Sequence, residues 1–447
     1  MPGGPATVAQ LIRAARERKG WSQARLGREL GEAEGKGGSG PDRGQVSRWE
    51  RGGRVPKYWM PYLISVLGID LAETVSSPPA RQDETGTGDT VDSVIELSRR
   101  DVVDRRGFVA ASGAYALAAL GLPDPDAVLR RVRLKAGGKV QVGRGEVAAV
   151  RQMTKSLGDA AAELGGGHAR HLAVRYLHHD VAPWLDGTWS QAIGRELLAA
   201  TAQLVHLAGW MAQDEGNQDA AQQYYAHSFR LASEAGDAEL AATALRGLAV
   251  QAIDLGFRPT AVRIAEECVD QAKSLDAPRA LAYYQATLAN AAALDGDRRT
   301  ATAALSASQT AIERATDAPG GSWASHYSIG RWAHESGMIL ARLGDYAGAQ
   351  DHLRHALDIH GLDRRRTRAI VLADLGTVRL RQDDVDGALA AWHDFLDCAD
   401  GIRSIKVQDA VDDLRARLYR LRDVPGVDEL DERAASLLPS PGQGDAG

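Results

Sequence analysis

The chain has 447 residues, 25% of them charged and 44% hydrophobic, with a formal net charge of −6; that length accommodates two or three domains and a large buried core. Two cysteines, Cys268 and Cys398, stand far apart inside helical patterns and read as reduced residues of a cytoplasmic protein, not as a disulfide framework. No run approaches the roughly 20 apolar residues of a membrane span, and the start, Met1-Pro2-Gly3-Gly4, lacks a signal peptide.

Charge is unevenly placed. The first 70 residues hold 12 Lys and Arg against 7 Asp and Glu, and the remainder 41 against 52. A basic head on an acidic body is expected when only the head meets phosphate.

In chain order, Val8, Leu11, Ile12 and Ala15 fall at i, i+3, i+4 and i+7 and predict a helix that stops at Lys19-Gly20. Ser22 can cap the next helix, with Leu26 and Leu30 on its inner face. The Gly-rich stretch from Gly31 to Asp42 reads as a flexible loop. It leaves open where the third helix starts, and with it the roles of Arg43 and Gln45. Val46 and Trp49 are three apart and can pack inward together, which leaves Arg43, Gln45, Ser47 and Arg48 on outer or flanking positions. Arg and Gln are the side chains that pair bidentately with guanine and adenine edges in the major groove. Arg51, Arg54 and Lys57 follow and read as phosphate contacts, which position without specifying. A helix within Tyr58–Leu71 closes the head.

Gly20-Trp21-Ser22-Gln23-Ala24-Arg25-Leu26, together with the run Gly44-Gln45-Val46-Ser47-Arg48-Trp49-Glu50-Arg51-Gly52-Gly53-Arg54-Val55-Pro56, resembles the helix-turn-helix of the phage-repressor-like XRE family. The resemblance implies double-stranded DNA as a partner. It also implies that Gln23 contacts a phosphate or supports a base contact, and that Glu50 pairs with Arg13. The chain departs from the usual turn of three or four residues by its Gly-rich insert.

Residues 73–145 read as a linker with bridging helices. Ser76–Thr90 is linker in composition, and a helix is expected near Val91–Arg99. Arg105-Arg106-Gly107-Phe108-Val109, ahead of the small apolar run Ala110–Leu122, imitates a twin-arginine export signal. Inside the chain and behind a DNA-binding head, it reads as a linker or docking helix. The stretch Arg130–Lys135 is a solvated helix end or a second DNA contact.

From 146 to 438 an Ala-rich helical pattern is punctuated at Gly216, Gly256, Gly296, Gly344 and Asp383, at intervals of 40, 40, 48 and 39 residues. Seven residues before each marker stands a small residue: Gly209, Ala249, Ala289, Gly337, Gly376. Five after each stands Ala221, Ala261, Ala301, Ala349 or Ala388, and four further on a bulky side chain in Tyr225, Leu305, Leu353 and Trp392, with Ala265 the exception. Antiparallel helices cross closely where one side chain is small and a bulky neighbour fills the next layer, which is the tetratricopeptide pattern with an enlarged period. The expected fold is therefore all-α, a helix-turn-helix domain (1–72) joined by a linker to a tetratricopeptide-like α-solenoid. An extra helix pair is expected within Asp159–Leu185, a capping helix at Val407–Leu421, and a tail over 439–447.

The whole chain resembles actinobacterial regulators that join an XRE head to a tetratricopeptide body. That match includes Gly165-Gly166-Gly167-His168, the run Leu207–Ala212 and Ala235-Gly236-Asp237. It implies a transcriptional regulator of development or secondary metabolism, and the family includes repressors. The layout is also similar to Gram-positive quorum-sensing receptors, whose repeats bind a short peptide. On the concave face of such an array the residues His206, Trp210, Gln213, Arg246, Asn290, Arg331, His334 and Arg342 are the candidate ligand or partner contacts. Asn can clamp a peptide backbone and Arg a carboxylate. The same residues can equally serve contacts within the chain or with another protein. His168 with His171, and His352 with His355, are spaced to share a metal, but no carboxylate or Cys completes either set. No enzyme motif stands out, and no cofactor is expected.

Two readings remain. In one, a homodimer binds a palindromic operator and is gated by a peptide, small molecule or protein at the repeats. In the other, the repeats scaffold or sequester a protein, antitoxin-like, and the head only localises it.

Overall fold

The computed structural model describes residues 8–34, 40–50, 59–68, 87–103, 140–315, 322–359 and 364–437. Among these residues the chain is all-helical, apart from an isolated bridge between Gln141 and Thr188.

Helices α1 (Val8–Arg18), α2 (Gln23–Ala33), α3 (Arg43–Glu50) and α4 (Met60–Leu67) enclose one small core of Ile12, Ala15, Leu26, Leu30, Val46, Trp49, Leu63 and Leu67. Ser22 caps α2 by accepting from the Arg25 amide at 3.1 Å. The far end of the Gly-rich insert is pressed against α2: a Cβ on Gly40 would stand 1.8 Å from the Gly27 carbonyl oxygen. Glycine is required there by close backbone approach, not by flexibility alone. Helix α5 (Thr87–Val103) packs on the body, where Asp101 accepts from the Tyr224 hydroxyl at 2.8 Å and pairs with Arg170.

The body is a succession of antiparallel pairs: α9 (Gln191–Asp214) with α10 (Gln218–Ala235), α11 (Ala238–Leu255) with α12 (Arg258–Ala272), α13 (Pro278–Asp295) with α14 (Arg298–Glu313), α15 (Ile329–Leu343) with α16 (Tyr346–Ile359), and α17 (Arg365–Arg381) with α18 (Val385–Ala399). Before them come α6 (Arg144–Leu164), α7 (Gly166–Tyr176) and, after a π-helical turn, α8 (Ala182–Leu185); after them come α19 (Ile405–Leu418) and α20 (Val427–Ser436).

The repeat markers sit at the turn of each pair. Gly216, Gly256, Gly296 and Gly344 have φ between 80° and 92°, and Asp383 takes φ 63°, a left-handed turn that Asp tolerates better than most side chains. The small positions are where paired helices touch. A Cβ on Gly209 would lie 3.0 Å from the Tyr225 ring, one on Gly337 2.9 Å from Leu353, and one on Gly376 2.3 Å from Trp392 Nε1. The five alanines after the turns are fully buried. One hydrogen bond recurs with the 40-residue period: Ser228, Cys268 and Ser308 donate to the carbonyls of Ala202, Ala242 and Ala282 at 2.9, 3.1 and 2.7 Å. Cys268 is thus a buried thiol that tightens a repeat junction.

The array curves until its ends meet. The Arg403 amide donates to the Leu164 carbonyl at 3.0 Å, the Arg365 amide to Glu163 at 3.4 Å, and Arg366 pairs with the buried Asp214. Asp214 also accepts from the Gly166 amide and the Ser404 hydroxyl. Helices α9, α11, α13, α15 and α17 therefore face an interior closed by contacts between the two ends, not an open groove. Helix α19 buries Val407, Val411, Leu414 and Leu418 in one core with Trp392 and Phe395.

Candidate functional site

Two places gather the residues singled out by the sequence. The first is α3 with its support. Asp42 closes the N-terminus of α3 by a reciprocal pair: the Gln45 amide donates to Asp42 Oδ1 at 2.7 Å, and the Asp42 amide donates to Gln45 Oε1 at 3.0 Å. This capping box fixes Arg43 as the first helical residue despite the long insert. It also engages Gln45 Oε1, while the Nε2 group keeps its donors for another contact.

Val46 and Trp49 are buried, as their spacing predicts, while Arg43 is exposed and Ser47 half-exposed. Arg48 lies between Ser47 and Trp49 on the same helix. Arg51, Arg54 and Lys57 lie outside the described residues, as do the twin-arginine-like run, the stretch Arg130–Lys135 and the tail.

One expectation needs correction. Glu50 does not meet Arg13, which pairs instead with Glu17 at 3.0 Å; Glu50 meets Arg16, one turn later on α1. The cause is helical phase: Arg16 lies next to buried Ala15 and also donates to the Trp21 carbonyl at 2.7 Å, so it reaches inward where Arg13 is exposed. Gln23 donates to Glu50 at 2.8 Å, so its side chain ties the start of α2 to the end of α3.

The second place is the interior of the array. Tyr283 on α13 is its centre. The Arg246 guanidinium lies over the Tyr283 ring at 3.6 Å and that of Arg331 at 4.7 Å. The Tyr283 hydroxyl accepts from Arg331 at 2.9 Å and from Trp323 Nε1 at 3.2 Å. Glu335 pairs with Arg246 at 2.7 Å and Arg331 at 3.5 Å and accepts from the Tyr327 hydroxyl at 2.9 Å. Burial pushes the Glu335 carboxyl up, but Arg246 and Arg331 outweigh it and hold it below the usual carboxylate range. His206 stacks edge-on against Trp323 at 5.0 Å; burial, then Arg246 and Arg331, push its imidazole down to about 3, so it is neutral at pH 7.

Gln213, His334 and Trp210 make contacts within the chain. Gln213 bridges the Tyr225 hydroxyl and Asp254 at 2.8 and 2.9 Å, and Asp254 also meets Lys406 at 3.1 Å. His334 bonds Asp374 at 2.8 Å, and Trp210 lies 6.3 Å from Trp323 with Arg366 over its ring. Burial lowers the Arg342 pKa, while Asp254 and Asp374 favour its charge. Asn290 is half-buried with its Oδ1 unpaired.

Sequence reasoning missed Tyr283, Trp323, Tyr327 and Glu335. The signal for two of them was the interval of 48 where its neighbours are 40 and 39. The extra residues form the connection 314–328, whose Trp323 and Tyr327 turn inward across the interior. Tyr283 and Glu335 carried no such mark. No group of three or more His, Cys, Asp or Glu suited to a metal occurs among the described residues, and no described helix is long and apolar enough to cross a membrane.

No protein-family model matches the chain, and no curated protein matches it at a significant level.

Proposed function

We propose that this chain is a sequence-specific DNA-binding transcriptional regulator, with an XRE-type helix-turn-helix head and a tetratricopeptide-like body that receives a ligand or protein partner. The observation that carries the reading is the α2–α3 pair. Its inner face is buried through Leu26, Leu30, Val46 and Trp49, and its outer face offers Arg43 and Ser47 on a basic head, with Arg48 next to Ser47 along the helix. A short helix so presented fits the major groove, where Arg reads guanine and Ser either phosphate or base. Arg51, Arg54 and Lys57 supply phosphate contacts. The head acts in the nucleoid as a homodimer on a palindrome, with the body setting the spacing of the two heads.

Control enters through the body, and the contacts between the two parts support that. Glu34, at the end of α2, accepts from Arg420 just beyond α19, and Phe257 at the α11–α12 turn packs on the head core. Lys406, in the first turn of α19, in turn holds the interior residue Asp254. A change inside the array therefore has a short, packed route to α2. The internal pairing of many interior residues favours, as a second reading, a scaffold or antitoxin-like protein that engages its partner elsewhere on the repeats. Titrating the full chain against genomic operator candidates and random duplexes of equal length separates the two: the regulator prefers one sequence class, the scaffold none.

A further inference from the structure

We propose that the interior between α9, α11, α13 and α15 is a binding site for a small organic carboxylate with a flat apolar body, and that Trp323 holds its place while it is empty. This deepens the gating reading above and rests on it.

Charge is the first argument. Arg246 and Arg331 share one carboxylate, Glu335, and His206 beside them is neutral, so one positive charge lacks an anion. Arg331 retains 38% exposure of its side chain, so it is reachable from solvent. Two enclosed nitrogens, Arg246 Nε and His206 Nδ1, have no hydrogen-bond partner, and His206 is buried. Leaving such groups unpaired is costly unless something pairs with them. A carboxylate is the group that two guanidiniums hold best.

Trp323 is the second argument. It belongs to no repeat helix but to the connection that lengthens one interval to 48 residues. Its ring meets His206 edge-on and lies near Trp210, and its Nε1 donates to the Tyr283 hydroxyl at 3.2 Å. An aromatic acid would occupy the same aromatic wall with its ring and place its carboxylate against Arg331 and Arg246, contacts that an indole ring cannot make. Binding would move the 322–328 segment, and with it Tyr327 and its bond to Glu335.

The test uses the full chain, titrated calorimetrically with indoleacetate and with its neutral isostere indoleacetamide. Trp323→Ala is expected to bind the acid at least tenfold more tightly than the wild type, and at least tenfold more tightly than it binds the amide. Adding Arg331→Gln should erase the preference for the acid. Trp323→Leu, which keeps apolar bulk, carries the same comparison if the Ala variant fails to fold. Equal binding of acid and amide, or no binding of either, in the folded Trp323 variant overturns the proposal. DNA affinity measured on the same samples separates the two claims: loss of acid binding with intact operator recognition sinks the site alone, whereas acid binding without any change in DNA affinity leaves the site and sinks the gating.

Discussion

Arg16 on α1 and Glu50 at the end of α3 face each other across the head, with Arg16 Nη2 3.0 Å from Glu50 Oε2 and their side chains only 11% and 4% exposed. Gln23 adds a third member at 2.8 Å, so the register of α3 against α1 and α2 is set by one carboxylate. Removing one partner of a buried pair strands the other charge, at about 3–5 kcal/mol. Glu50→Ala should therefore loosen the head, seen as faster amide hydrogen exchange across α1 and α3 of the full chain. Replacing both, Arg16→Met with Glu50→Leu, should recover most of the protection. Unchanged exchange in Glu50→Ala would show the pair to be ornamental.

Gly376 tests the packing rule of the repeats. Its hydrogen faces Trp392, which is 1% exposed and donates to the Ala373 carbonyl at 3.3 Å. Gly376→Ala forces overlap against a ring with nowhere to go and should destabilise by about 1–3 kcal/mol or more. Gly145→Ala, in the first turn of α6 with open space around it, is the control and should be neutral or stabilising by about 0.5–1 kcal/mol. Thermal unfolding of the two variants side by side gives the comparison.

Acid should weaken the body before it protonates ordinary carboxylates. Burial, then Arg246 and Arg331, push His206 down to about 3, and burial, then Arg230, push His227 down to about 4. Unfolded, both bind a proton near pH 6.5, so stability is full above about 6.5 and falls as the pH drops, by up to about 1.4 kcal/mol per pH unit for each. Asp180, pushed up to about 6 by burial, opposes this between about pH 6 and 4, since its folded form takes the proton first. The net expectation is a lower urea midpoint at pH 5 than at pH 7. His206→Phe should shrink that difference, and an undiminished difference would acquit His206.

Coupling between head and body should pass through Arg420 and Phe257. The Glu34 side chain is fully enclosed under Arg420, and Phe257 rests on the core of Leu26, Val46 and Trp49. Arg420→Ala combined with Phe257→Ser should raise hydrogen exchange in α2 several-fold while leaving α13 and α15 protected. No change in α2 would place the coupling elsewhere.

The repeat architecture was legible because its rules are local. A left-handed turn needs Gly or Asp, and a close crossing needs Gly or Ala opposite a bulky residue, so Gly209 with Tyr225 and Gly376 with Trp392 could be paired from spacing alone. The inner face of α3 was legible for the same reason. What was not legible depends on long-range closure. That Arg366 reaches Asp214 across 152 positions follows from the curvature of the whole array, which no window reports. That Gln45 caps its own helix and Gln23 serves Glu50 depends on side-chain competition between equally polar choices. The interior cluster was half-read: Arg246 and Arg331 were found by phase, while Trp323 was hidden in a connection that looked only like a longer loop.

The central claim is that the head reads DNA sequence through α3. Chromatin immunoprecipitation of the full chain from its own cells, beside Arg48→Ala, tests it most directly. The account predicts a discrete set of bound sites sharing an inverted repeat, and their loss or blurring in Arg48→Ala, as expected for about 1–3 kcal/mol of base discrimination. Enrichment no greater than in cells lacking the protein, or an identical profile with Arg48→Ala, would contradict it.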